Sequence, residues 1–185
     1  MYNLPTTLTV GGTEYAIRSD YRAALDIFAA LADPDLDEVN KAVELLEILY
    51  IDAEHIPFSC YQEAIKEGLK FLNGGNEDAN QAKRPQLVDW EQDFKYIVAP
   101  INRVIGQEVR AIEYLHWWTF ISAYYEIGDC TFAQIVRIRS QKAKGKKLDK
   151  ADEEWYKQNR DIVDLKPRRS KAEQEWIENA LSKWL

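Results

Sequence analysis

The chain has 185 residues, 46% of them hydrophobic and 30% charged, with six Trp, ten Tyr, two Cys and a formal net charge of −7. That length suits one domain with a real core, and the hydrophobic content excludes a disordered chain. The negative charge argues against general nucleic-acid binding, which depends on a positive field.

The opening residues, MYNLPTTLTV, lack the basic and apolar regions of a signal peptide, and no apolar run reaches transmembrane length, so the expectation is a protein without a membrane role. Leu8, Val10, Tyr15 and Ile17 flank Gly11-Gly12, which predicts a small β-hairpin too short to stand alone. Ser19 or Asp20 can cap a first helix carrying Tyr21, Leu25, Phe28 and Leu31, and Asp33-Pro34 stops it. A second helix places Val39, Val43, Leu46, Leu49 and Tyr50 on one stripe. After Pro57, Ser59 is the expected cap of a third helix, with Tyr61, Ile65, Leu69 and Leu72, which leaves through Asn73-Gly74-Gly75. Residues 74–88 are polar and aperiodic, a linker or surface loop between an N-terminal segment (1–73) and a C-terminal helical segment (89–185), within one domain overall.

From Asp89 a helix carries Trp90, Phe94, Ile97, Val98, Ile101, Val104 and Ile105, with Pro100 expected to kink it. Residues 112–127 are apolar on nearly all sides and predict a central, buried helix. Its adjacent Trp117 and Trp118 stand about 100° apart. Trp118, with Leu115 and Ile121, is assigned to the core. Trp117, grouped with Tyr114, Phe120 and Tyr124, is the candidate for partner contact. Asp129 or Thr131 can cap the next helix, with Phe132, Ile135, Val136 and Ile138. The basic run from Arg137 and Arg139 through Lys142, Lys144, Lys146, Lys147 and Lys150 reads as a solvated helix end and loop, since no base-stacking aromatics accompany it. A helix with Trp155, Ile162 and Val163 follows. After Pro167 a last helix repeats Trp176, Ala180 and Trp184 beside Ile177 and Leu181, a stripe that either packs back or docks into a partner's groove. The fold class is therefore mainly α, a helical bundle-like domain with a small N-terminal β-hairpin.

Chemistry is hard to place on this sequence. His116 lacks a nucleophile or second histidine beside it, so a hydrogen-bonded histidine at the edge of an aromatic core is expected. Cys60 and Cys130 have no partner at metal-ligand spacing and read as reduced structural thiols. Asp33, Asp35, Asp37 and Glu38 lack the glycine and terminal glutamate of a calcium loop, and helix capping explains them. No phosphate loop, catalytic carboxylate pair or zinc motif is present, so no enzyme, metal or cofactor is expected.

The order WEQDFKYIVAPINRVIG, then EYLHWWTFISAYYEIG, then TFAQIVRIRSQKAKGKKLDKADEEWYKQN resembles the bacteriophage gene-product-fifteen family of tailed phages and prophages of Gram-positive bacteria. Asp93, Leu115, His116, Trp117, Trp118, Phe120, Phe132, Ile135 and Arg139 fall on its motif positions, and DPDLDEVNKAVELLEILY and EAIKEGLKFLNGG match more loosely. Where relatives carry a YGIDL-like stretch, this chain has IGQEVRAI. The resemblance implies a tail-module protein of the host bacterial cytoplasm during phage assembly. Its expected role is a chaperone of the tape-measure protein, with other tail proteins and a homo-oligomer as further associations. The alternative is a structural minor tail or connector protein kept in the virion. The partner surface would include Trp117, Phe120, Tyr124, Trp176 and Trp184.

Overall fold

The computed structural model describes residues 3–77 and 85–181. Two short antiparallel strands, β1 (Thr7–Val10) and β2 (Thr13–Ala16), are joined by Gly11 and Gly12, whose φ of 57° and 79° fit the tight turn. The hairpin is held by its neighbours, as its size requires. The backbone N–H of Ile51 donates to the Ala16 carbonyl, and that of Arg18 to the Leu49 carbonyl. The Arg18 guanidinium donates in turn to the carbonyls of Glu47, Ile48 and Tyr50. These are the carbonyls left without partners where α2 (Glu38–Leu49) ends.

Helix α1 (Tyr21–Leu31) is capped by Asp20, one of the two expected candidates, and packs along α2. Asp37 accepts from the Asn40 N–H as the N-cap of α2, so helix capping accounts for that acid, while Asp33 closes the turn before it by accepting from the Asp35 N–H. The α2 stripe is corrected at its start: Leu45, Leu46 and Leu49 face inward, while Val39 and Val43 are 72% and 37% exposed. Helix α3 (Tyr61–Leu72) is entered through a 3-10 turn at Phe58–Cys60 and has no side-chain cap, so Ser59 does not cap it. It approaches α2 closely at Gly68, where a Cβ would stand 2.9 Å from a Leu49 methyl.

Helix α4 (Trp90–Ile105) is capped by Asp89 and includes Pro100 on its buried side. Helix α5 spans only Trp117–Tyr125, α6 spans Thr131–Ala143, and α7 (Lys150–Gln158), α8 (Arg160–Val163) and α9 (Lys171–Leu181) complete the described chain. Cys130, not Asp129 or Thr131, caps α6, its Sγ accepting from the Ala133 N–H. The main core runs from Val10 through Phe132 and draws on both sides of the 74–88 segment. A smaller core joins Ile135, Ile138 and Val163 beneath Trp155 and Tyr156. No helix among the described residues is long and apolar enough to cross a membrane.

Candidate functional site

The LHWW segment is where the chain's long-range contacts converge. The expected helix from residue 112 begins five residues later, because the backbone of 115–117 is taken up by the chain before α1. Leu115 N–H donates to the Asp20 carboxylate, Tyr21 N–H to the Leu115 carbonyl, and Trp117 N–H to the Ser19 carbonyl. Asp20 therefore caps α1 and fixes the start of α5 together.

His116 caps α5. Its Nδ1 accepts the Trp118 N–H at 3.0 Å, which leaves Nε2 protonated to donate to the Pro5 carbonyl at 2.9 Å. The ring is 3% exposed and both nitrogens are bonded, so neither is left to move a proton for a substrate.

The two tryptophans do one job at two adjacent positions. Trp117 Nε1 donates to the Leu72 carbonyl at 2.9 Å and Trp118 Nε1 to the Phe71 carbonyl at 2.8 Å. Both acceptors lie in the last turn of α3, where intrahelical donors run out. Gly74 and Gly75 turn the chain away there with φ of 68° and 85°. They also make room, since a Cβ at Gly75 would lie 3.0 Å from the Trp118 ring and one at Gly74 3.0 Å from Ile121.

Burial reverses the assignment made from spacing. Trp117 is 1% exposed and Phe120 is fully buried, while Trp118 is the half-buried member of the pair. Trp117 and Phe120 stack at 5.7 Å, and Phe120 stacks on Tyr21 at 4.6 Å. Neither can be a contact surface while the protein is folded. Tyr124 is half-buried against Trp90 and Phe132, and burial pushes its hydroxyl pKa up to about 12. Trp176 is 72% exposed on α9; Trp184 lies outside the described residues.

The remaining motif residues also hold the fold. Phe132 is in the main core and Ile135 in the smaller one. Arg139 is not part of a solvated basic face. All five of its N–H donors find acceptors: both oxygens of Asp93, at 2.6 and 2.9 Å, and the carbonyls of Leu87, Ile162 and Val163. Asp93 is 1% exposed, so this is a buried, fully satisfied ion pair that ties α4 and α6 to α8. Arg137 pairs with Asp152 and Lys142 with Asp164 at the surface, while the exposed lysines at 144, 146, 147 and 150 form no ion pair among the described residues.

Sequence reasoning missed a second latch. Arg168 binds Asp89 through two nitrogens and also reaches Glu91, while Gln92 both donates to the Lys166 carbonyl and accepts from its N–H. Burial alone would raise the Asp89 carboxyl pKa, but Arg168 and the N–H groups of Gln92 and Glu91 outweigh it and hold it below the usual value. Beside this strap lies an open groove of about 1050 Å³ walled by Asp33, Asp35, Glu91, Arg169 and Lys171, with no His or Cys in its lining. Among the described residues one trio could converge on a cation, Asp52, Glu54 and His55, and all three are exposed.

The family model described as Bacteriophage Gp15 protein matches residues 1–165. No curated protein and no solved structure matches the chain.

Proposed function

The chain belongs to the bacteriophage Gp15 protein family, and from that premise we propose that it is a non-enzymatic tail assembly protein, a chaperone that binds the tape-measure protein while the tail is built. The observation that carries this reading is how the family motif is used. Leu115, His116, Trp117, Trp118 and Arg139 are occupied in joining the N-terminal segment, α3, α4 and α6, so the motif makes a stable body and no reactive group. The body leaves apolar side chains outside. Val39 and Val43, one turn apart on α2, and Phe58 at 86% exposure offer apolar contact to a helical partner. A net charge of −7 would help keep such a complex in solution.

Co-expression with the tape-measure protein of the same phage or prophage, followed by size-exclusion chromatography with light scattering, tests the proposal. The expected result is a soluble complex from a partner that precipitates when made alone, lost in a Val39→Ser/Val43→Ser variant whose circular dichroism is unchanged. A partner that stays insoluble while this chain elutes by itself contradicts it. Mass spectrometry of purified virions then decides the rival role, because a minor tail or connector protein stays in the particle and a chaperone does not.

A further inference from the structure

Helix α9 is an unusual element for a folded domain. Among its described side chains, those from Lys171 to Trp176 are exposed and Ile177 is half-buried. The helix is nevertheless well specified at its start. Ser170 Oγ accepts the Glu173 N–H and Glu173 accepts the Ser170 N–H, a reciprocal capping box, while the Lys171 N–H donates to Asp35. The strap before it is fixed by Arg168 and Gln92. An isolated helix of eleven residues is marginal in water, so one that is anchored, capped and left bare around a tryptophan is short of a covering surface.

Charge selects what can cover it. Glu173, Glu175 and Glu178 surround Trp176 in sequence, so two copies of α9 laid together would bring like charges into contact. The opposite character stands elsewhere on the same molecule. Lys144, Lys146, Lys147 and Lys150, four lysines within seven residues around Gly145, are all exposed and form no ion pair among the described residues. The other cations near α9, at 166–171, already face Asp33, Asp35 and Glu91 across their groove.

We propose that the chain self-associates head to tail, the acidic helix α9 of one copy docking on the lysine turn 144–150 of another. Lysine stems would lie against the Trp176 indole while their ammonium groups meet the glutamates, and a cation over an indole face adds attraction. Each copy carries both surfaces at different places, so the contact is heterologous and repeats from copy to copy. It is small and polar, which makes it weak, concentration-dependent and screened by salt.

Sedimentation velocity of the full chain across a concentration series tests this. At low ionic strength the average mass should rise with concentration, and near 1 M salt it should fall back to the monomer. A Glu175→Lys variant and a Lys146→Glu/Lys147→Glu variant should each remain monomeric, and mixing the two should restore association, because the reversed helix matches the reversed turn and the unreversed helix the unreversed turn. Both sites are exposed, and unchanged circular dichroism would verify that the variants fold. A monomer at every concentration overturns the proposal, as does association indifferent to these reversals or to Trp176→Ala. Loss of the tape-measure complex in the Glu175→Lys variant of a chain that is monomeric by itself would also overturn it, by giving α9 to that partner.

Discussion

Two tryptophan-bearing helices of this protein meet opposite fates. At the start of α5, Trp117 and Trp118 send their indole N–H groups to the last carbonyls of α3 and their rings into or against the core. On α9, Trp176 stands 72% exposed beside glutamates. Residue type and helical spacing are alike in the two places. The difference is an available pair of helix-end carbonyls across the molecule, since a buried indole needs a partner for its N–H and the end of α3 supplies two acceptors. An aromatic motif can thus be the mortar of a domain while an aromatic stripe outside it remains a surface.

Breaking the α5 side of this contrast should have the largest effects. Arg139→Met strands the buried Asp93 carboxylate and three carbonyls, and should cost about 3–5 kcal/mol in urea unfolding. Trp117→Ala removes a fully buried ring and leaves the Leu72 carbonyl without its donor, again a loss of about 3–5 kcal/mol. His116→Ala, which loses both the α5 cap and the tie to Pro5, should cost about 2 kcal/mol. Retention of full stability in that variant would remove its clamp role.

The strap gives a smaller, pH-dependent effect. The Asp89 pKa is lowered in the folded state, so its contribution is fully present above the unfolded carboxylate value near 3.9 and is lost as pH falls through the lower folded value. Asp89→Asn keeps a good helix cap but gives up the charge on Arg168. It should lower stability by about 1.5 kcal/mol at neutral pH and flatten the acid limb below about pH 4 in thermal melts. Smallest of all, Trp176→Ala should change the unfolding free energy of the monomer by no more than about 0.5 kcal/mol, because the side chain touches no core.

Local signals made much of the fold legible. Gly11-Gly12, Asp20, the Asn73-Gly74-Gly75 exit and the periods of α1, α3, α4 and α6 place elements where the structure has them, while the one helix expected to carry Trp155, Ile162 and Val163 is broken at Asn159 into α7 and α8. What stayed hidden depends on partners distant in sequence. Spacing shows that Trp117 and Trp118 face apart, but which one is enclosed is decided by α3, some 45 residues earlier. Residues 112–116 have helical composition, yet Leu115 bonds to Asp20 and Tyr21 and the Trp117 N–H to Ser19. Arg139 sits in a basic run and owes its burial to Asp93, 46 positions away. Surface burial is similarly nonlocal: Val39 and Val43 lie on an apolar stripe whose first turn overhangs the body.

Hydrogen exchange on dilute protein tests the contrast most directly. Amides of Trp117–Tyr125 should exchange only with global unfolding, while those of Lys171–Leu181 exchange orders of magnitude faster through local opening. Equal protection of the two helices would mean that α9 is held by the body as firmly as α5, and would contradict the account.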